Sequence, residues 1–159
     1  MAYITFSEYA DIYGAIDAHD FSRYAWEASR LMDIHTTGVD GVKKLSEAMP
    51  TDEGDQECVK RCCAALINVM AEIEKTERSI TGFTTRADGT VVSKAVSSIS
   101  SGSESITFAN GVSTALSAAV SDSAAREKMY ADTVKKYLSG VTDSNGVNLL
   151  YMGAYPYVL

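Results

Sequence analysis

Cysteine, histidine, proline and tryptophan are scarce in this sequence of 159 residues, which has three Cys, two His, two Pro and one Trp. The cysteines are odd in number, and Cys62 and Cys63 are adjacent, so the chain lacks the disulfide framework of a small secreted domain. No apolar run approaches the roughly 18 residues of a membrane helix, and no basic-then-apolar leader opens the chain. We therefore expect a cytosolic protein that does not associate with membranes.

Basic residues are also in deficit, since 14 Lys and Arg against 21 Asp and Glu give a net charge of -7. A general nucleic-acid binder gains most of its affinity from Lys and Arg contacts to phosphate, so the charge has the wrong sign for that class. The acidic residues are most concentrated in a cluster of Asp52, Glu53, Asp55 and Glu57. This cluster lacks the alternating ligands and central glycine of a calcium loop. This cluster is expected to stabilise the N-terminus of a helix.

Helical periodicity is the dominant pattern that is present. Thr5 and Glu8 match a capping box, and Gly140 is a natural helix stop. The predicted helices cover residues 6–13, from His19 or Asp20 to about 36, 54–80, and from Asp122 or Ser123 to about 139, with a short helix between 39 and 49. The predicted core residues are Phe21, Tyr24, Leu31, Leu66, Ile67, Met70, Val134 and Leu138. The fold class is therefore mainly α, a small helical bundle.

Residues 83–121 form an insert rich in Ser, Thr, Gly and Ala within a predicted helical domain 1–140. Val91 and Val92, together with residues 105–108, have the β-branched and aromatic content of short strands. The intervening Ser-Gly-Ser at 101–103 predicts the tip of a β-hairpin. A flexible low-complexity linker is the alternative interpretation.

The last segment, 141–159, is almost wholly apolar and aromatic after its first turn, unlike the polar ends of most domains. One interpretation is that it folds back and caps its own bundle. The other is an extended C-terminal arm that docks on a partner through Tyr and Met anchors. The residues assigned to such docking are Leu149, Leu150, Tyr151, Met152, Tyr155, Tyr157 and Leu159.

No arrangement of residues in the sequence indicates catalysis or cofactor binding. His19 and His35 lie in no catalytic motif, and there is no phosphate-binding glycine loop and no G-x-S-x-G elbow. Cys58 and Cys62 share a helix face, but no second Cys pair or paired His supports a zinc site. Cys62 and Cys63 lie in the apolar stripe, where free Cys behaves as a small hydrophobe. We expect no enzymatic activity, no cofactor and no metal.

The order of features resembles the head–tail connector family of bacteriophages, also called adaptor or head-completion proteins. The matching stretches are Tyr-Ile-Thr-Phe-Ser-Glu-Tyr at 3–9, Leu-Met-Asp-Ile-His-Thr-Thr-Gly at 31–38, Tyr-Leu-Ser-Gly at 137–140 and Leu-Leu-Tyr-Met-Gly at 149–153. The resemblance spans nearly the whole chain, although its motifs are packing patterns. The chain departs from the family in its longer Ala- and Ser-rich insert and in Met152, where a basic residue is common.

The resemblance implies a structural virion protein of the neck, assembled in the bacterial cytoplasm. Such subunits form a homo-oligomeric ring of about twelve copies between the portal protein and the stopper or tail proteins, and extend the DNA channel. The arm is then expected to dock on the portal. Contacts to ring neighbours are expected from Val91, Val92, Ile99, Ile106 and Phe108. Removal of residues 149–159 is expected to leave a folded chain that no longer binds the portal.

The acidity of the chain fits a channel that DNA passes without sequence-specific binding, because acidic copies around a lumen would repel phosphate. Acidity that serves only solubility is the alternative. Two other functions stay open at this point: another neck or tail-completion protein of the same virion, and a non-viral helical module that binds a cytosolic protein.

Overall fold

The structure is a computed structural model of the chain, and it describes residues 2–80, 83–85, 91–93, 98–101, 104–107 and 114–156. The helices in these ranges are α1 (Phe6–Tyr13), α2 (Ala18–Thr36), α3 (Lys44–Glu47), α4 (Glu53–Ile80), α5 (Thr114–Ser121) and α6 (Ser123–Leu138). The strands are β1 (Phe83–Thr85), β2 (Val91–Ser93), β3 (Ser98–Ser101) and β4 (Glu104–Thr107). The protein is mainly helical, which confirms the prediction that the fold class is mainly α.

Contacts divide the chain into two compact units, one of residues 1–70 with 127–159 and one of residues 71–126. The predicted division into residues 1–140 and 141–159 differs from these units. The difference arises because the segment after α6 packs with the first unit, as described below.

Helix α1 begins and ends where the sequence predicts, because local signals fix both ends. The Thr5 hydroxyl accepts a hydrogen bond from the Glu8 amide (3.3 Å), and the Glu8 carboxylate accepts one from the Thr5 amide (2.8 Å). Gly14 ends the helix with φ of 87°, a conformation that disfavours any residue with a Cβ. Tyr9 is buried against Phe21 of α2, with ring centroids 5.6 Å apart.

The Glu8 carboxylate also joins α1 to α4 through an ion pair with Lys60, at 2.5 Å. The hydrogen bond from Lys60, with two from Thr5, lowers the pKa of Glu8 from its ordinary 4.5 to about 2. A carboxyl whose pKa is lower in the folded state stabilises the fold above its unfolded pKa, and this contribution disappears as the pH falls toward the folded pKa. Lys60 and Glu8 are partly exposed, so solvent screening keeps the effect small.

Glu8→Gln is therefore expected to lower the free energy of unfolding at neutral pH and to match the wild-type chain near pH 2. Gln preserves the capping box, so the comparison isolates the charge. Urea unfolding at a series of pH values measures the difference. Glu127→Gln, which changes an exposed carboxylate of α6 with no salt bridge among the described residues, is the matched control. If Glu8→Gln were less stable than the wild-type chain by the same free energy from neutral pH to pH 2, the charge of Glu8 would not be the source of the difference.

Helix α2 begins at Ala18, slightly before the predicted start, because Asp17 supplies the N-cap. Its carboxylate accepts hydrogen bonds from the His19 amide (2.9 Å) and the Asp20 amide (3.3 Å). The helix buries one face, formed by Phe21, Tyr24, Ala25, Ala28, Leu31 and Met32.

The core of the first unit forms where α2, α4, α6 and the segment after α6 bury their apolar residues. All eight predicted core residues are buried: Phe21, Tyr24, Leu31, Leu66, Ile67, Met70, Val134 and Leu138. Cys62 and Cys63 are fully buried in the same core, as predicted. Helix α6 ends ahead of Gly140, whose φ is 86°.

The second unit contains the end of α4, the four strands and α5. Strand β1 pairs with β2 and β3 with β4, both antiparallel, with Thr84 opposite Val92 and Ile99 opposite Ile106. Gly102, Ser103 and Phe108 lie outside the described residues. The predicted β-hairpin insert and its contacts to ring neighbours therefore stay predictions.

Helix α5 lies in the insert, where the sequence analysis predicted no helix. Its sequence, Thr-Ala-Leu-Ser-Ala-Ala-Val-Ser, contains Ala and Leu, which are strong helix formers. No helix was predicted because the serines around these residues indicate a linker or short strands. Ala119 is fully buried, and the Arg126 guanidinium donates to its carbonyl (2.9 Å). Arg126 also pairs with Glu77 of α4 at 2.6 Å, so the end of α5 is tied to other parts of the second unit.

Candidate functional site

The segment after α6 folds back onto the connection between α2 and α3. The Val39 amide donates to the Met152 carbonyl (3.1 Å), and the Tyr155 amide donates to the Asp40 carboxylate (2.6 Å). The approach is close, since a Cβ on Gly38 would lie 2.8 Å from the Gly153 carbonyl oxygen. Of the two interpretations of this segment, residues 141–156 follow the one in which it packs on its own unit.

This packing corrects the assignment of Leu149 as a docking residue. Leu149 is fully buried, and its amide donates to the Val141 carbonyl at 3.0 Å, so the side chain belongs to the core of its own unit. Tyr151 and Met152 are 49% and 52% exposed and are accessible to a partner. Leu150 and Tyr155 are half-buried, and Tyr157 and Leu159 lie outside the described residues.

A polar network fastens the folded-back segment. Asp143 is buried, and its carboxylate accepts hydrogen bonds from the Asn145 amide (2.9 Å), the Val147 amide (2.9 Å) and the Tyr155 hydroxyl (2.5 Å). The ammonium of the buried Lys44 donates to the Tyr151 carbonyl. Burial lowers the pKa of Lys44, opposed by the negative charges of Asp143 and Asp40.

The fold-back leaves an exposed apolar surface that we call the tail patch, consisting of Val39, Tyr151 and Met152. The backbone hydrogen bond between Val39 and Met152 holds its two parts together. All three side chains are exposed. Large apolar side chains clustered on a surface are typical of interaction sites.

A second surface lies on α2, opposite its buried face. Trp26 is 66% exposed and Ile34 is half exposed, and they flank Arg30 at spacings of four residues, which places all three on one side of the helix. They border a groove of about 290 Å³, which we call the Trp26 groove. Its lining residues are Trp26, Ser29, Arg30, Asp33, Ile34 and Lys43.

The Trp26 groove carries an excess of one positive charge, from Arg30, Lys43 and Asp33. Asp33 is engaged at the groove wall, where its carboxylate accepts a hydrogen bond from the Tyr3 hydroxyl. Burial and the neighbouring Asp33 carboxylate raise the pKa of Tyr3 well above its ordinary value. Among the described residues, neither Arg30 nor Lys43 forms a salt bridge.

The Trp26 groove was not predicted from the sequence, because the apolar periodicity of α2 marks a stripe on the other face of the helix. The available signal was the single tryptophan of the chain, which lies off that stripe and four residues before an arginine. Tryptophan and arginine are among the residue types most enriched where binding energy concentrates at protein interfaces.

A third exposed surface, the α1 patch, consists of Phe6, Ile12 and Tyr13. Helix α1 packs against α2 through Phe21, whose ring lies 5.3 Å from that of Phe6. Phe21 and Trp26 are five residues apart, about 140° around the helix axis, so α1 and the Trp26 groove lie on different sides of α2.

The histidines and cysteines do not combine into a reactive site in the described ranges. His19 is exposed, and the Nε2 of His35 is buried without a hydrogen-bond partner in the part of the chain that the structure describes. Burial raises the pKa of the Cys63 thiol to about 11, so it is protonated at neutral pH. Within the described ranges, no three His, Cys, Asp or Glu side chains group as metal ligands.

Comparison of the chain with protein-family models, curated proteins and solved structures finds no match in any of the three. In the part of the chain that the structure describes, no helix has the length and apolar character needed to cross a membrane.

Proposed function

We propose that this chain is a structural virion protein, a head–tail connector (adaptor) subunit of a bacteriophage. It forms a homo-oligomeric ring between the portal protein and the stopper or tail proteins, in the neck of the virion, and has no enzymatic activity. The ring extends the channel through which DNA passes without sequence-specific binding. The order of sequence features and the mainly helical fold support the proposal.

The observation that carries the proposal is the presence of exposed apolar surfaces on different sides of the first unit. In a closed ring of identical subunits, one patch of each copy contacts a second, different patch of the next copy. The α1 patch and the Trp26 groove lie on different sides of α2 and have the apolar side chains for these two roles. The tail patch is then available for a different partner, which we assign as the portal.

The insert supplies a second set of contacts between neighbouring copies. We assign these to the predicted hairpin, with Val91, Val92, Ile99, Ile106 and Phe108. Paired strands offer backbone donors and acceptors at their edges, and a neighbouring copy satisfies such groups by strand addition. A net charge of -7 per copy supports a lumen that repels the phosphates of passing DNA.

Electron microscopy of the purified chain mixed with its portal ring tests the function. The expected result is an added collar with the symmetry of the portal. A double variant, Tyr151→Ser with Met152→Ser, is expected to fold normally and to leave the portal bare, because these side chains are exposed. Lys128→Ser, which changes an exposed residue of α6 outside the three surfaces, is expected to leave the collar unchanged.

A bare portal with wild-type protein overturns the proposal. Binding to purified stopper or tail-tube protein would then indicate another neck or tail-completion protein. A small fixed oligomer with no affinity for any of these proteins would indicate a non-viral helical protein-binding module.

A further inference from the structure

The tail patch is assembled from two parts of the chain that are far apart in the sequence. Val39 belongs to the connection between α2 and α3, whereas Tyr151 and Met152 follow α6. The hydrogen bond from the Val39 amide to the Met152 carbonyl (3.1 Å) joins the two parts. The patch therefore exists only while residues 151–156 lie on this connection.

Residues 151–156 are less deeply packed than the residues that precede them. Leu149 is fully buried and Asp143 is buried, so the segment after α6 is anchored in the core up to residue 149. None of residues 151–156 is buried: Tyr151, Met152, Ala154 and Pro156 are exposed, and Gly153 and Tyr155 are half-buried. A short stretch with little buried apolar surface can open locally while the rest of the domain stays folded.

The Asp40 carboxylate binds both of the parts that meet at the tail patch. One oxygen, Oδ1, accepts a hydrogen bond from the Val42 amide (3.2 Å) within the connection. The other, Oδ2, accepts one from the Tyr155 amide (2.6 Å) near the end of the described segment. The hydrogen bond from Tyr155 lowers the pKa of Asp40 below its ordinary 3.8, so the carboxylate is ionised at neutral pH and both oxygens can accept.

The side chain of Tyr155 extends this contact to the anchored part of the segment. Its hydroxyl donates to the buried Asp143 carboxylate at 2.5 Å and accepts a hydrogen bond from the Asn145 side-chain amide at 3.0 Å. Asp40 and Tyr155 therefore connect residues 151–156 to a fixed structure on both sides, through polar groups rather than buried apolar area.

We propose that the contact between Asp40 and Tyr155 positions the tail patch for docking. While the contact is made, Val39 and Met152 are held together and form one surface for the partner. When it is lost, residues 151–156 leave the connection and the two parts of the patch separate. The inference rests on the proposed function for the identity of the partner, whereas the opening of the segment is a property of the free chain.

The contact affects affinity because a patch that is assembled before docking avoids the entropy cost of ordering it on the partner. The apparent affinity falls in proportion to the fraction of molecules in the binding-competent form. If a substitution leaves the segment in place in about one molecule in ten, portal binding is expected to weaken about tenfold.

Two substitutions perturb the contact in different ways. Asp40→Asn removes an acceptor, because a side-chain amide offers one oxygen where the carboxylate offers two, and the exposed position leaves the core intact. Gly38→Ala acts sterically, since a Cβ at this position would lie 2.8 Å from the Gly153 carbonyl oxygen and 2.9 Å from Asp40 Oδ1. Asp132→Asn, the same chemical change on an exposed residue of α6, is the matched control.

Amide hydrogen exchange followed by NMR measures the opening in the free chain. In Asp40→Asn and Gly38→Ala, the Val39 amide is expected to exchange at least about tenfold faster than in the wild-type chain, because its acceptor moves away. The Leu66 amide, in the middle of α4, is expected to keep its wild-type rate, which distinguishes local opening from unfolding of the domain. Asp132→Asn is expected to change neither rate.

Titration of each variant against the purified portal ring measures docking. Asp40→Asn and Gly38→Ala are expected to bind about tenfold more weakly, although the side chains of the tail patch are unchanged. Met152→Ala separates the two roles, because it truncates a patch side chain but keeps the carbonyl that the Val39 amide binds. This variant is expected to bind the portal more weakly while the Val39 amide exchanges as in the wild-type chain.

Two results would overturn the inference: a Val39 amide that exchanges at the wild-type rate in both variants, or faster exchange without weaker portal binding. Tighter binding by the variants would show that the portal binds the segment in its released form, and the connector function would stand. A wild-type chain with no affinity for the portal rejects the proposed function, and the exchange rates alone then decide whether Asp40 holds the patch together.

Discussion

Deleting residues 149–159 is expected to lower the free energy of unfolding by about 4 kcal/mol or more, which is a large part of the total stability of a domain. Most of the loss comes from Leu149, which is fully buried. Removing a buried Leu side chain alone costs about 2–5 kcal/mol, because the surrounding residues fill the cavity only in part. The deletion also removes the Tyr151 carbonyl that binds the Lys44 ammonium and the Tyr155 contacts to Asp40 and Asp143.

Urea unfolding followed by circular dichroism measures this loss. The matched control is Met152→Ala, which truncates a half-exposed side chain of the same segment and is expected to cost less than about 1 kcal/mol. A deletion variant with wild-type stability would contradict the fold-back and restore the interpretation of 141–159 as a free arm.

The sequence could not decide between these two arrangements of the tail. Apolar and aromatic residues are required both for capping a core and for docking on a partner, so composition is the same in the two cases. The deciding contacts join residues far apart in the chain, such as Lys44 with Tyr151 and Asp40 with Tyr155. Pairings of this kind leave no local pattern in a single sequence.

The ends of α1, by contrast, were predictable because residues next to them determine them. Thr5 and Glu8 satisfy the first amides, and Gly14 takes a positive φ at the other end. The start of α2 was displaced only because Asp17, assigned to the preceding link, is the N-cap. Periodicity likewise identified the core face of α2, but it assigned no role to the exposed Trp26, since a surface site follows no period.

Asp143→Ala is expected to lower the free energy of unfolding by about 3 kcal/mol, because it leaves several buried groups without partners. The carboxylate accepts hydrogen bonds from the Asn145 and Val147 amides and the Tyr155 hydroxyl. Its charge also favours the protonated form of the buried Lys44, whose pKa burial lowers from the ordinary 10.5. Alanine removes all of these interactions while the ammonium stays buried.

The pH dependence of this loss separates the charge from the hydrogen bonds. While Lys44 is protonated, Asp143→Ala lacks both the hydrogen bonds of Asp143 and its attraction to the ammonium. Once Lys44 is neutral in the folded state, this attraction no longer contributes to the stability of either chain. The difference in free energy of unfolding between the wild-type chain and Asp143→Ala is therefore expected to decrease as the pH rises from neutral toward 10.5. Asp143→Asn, which keeps an acceptor for the two amides but carries no charge, is expected to lose less at neutral pH and to show the same trend. A deficit that does not change with pH would mean that Asp143 holds the tail through its hydrogen bonds alone.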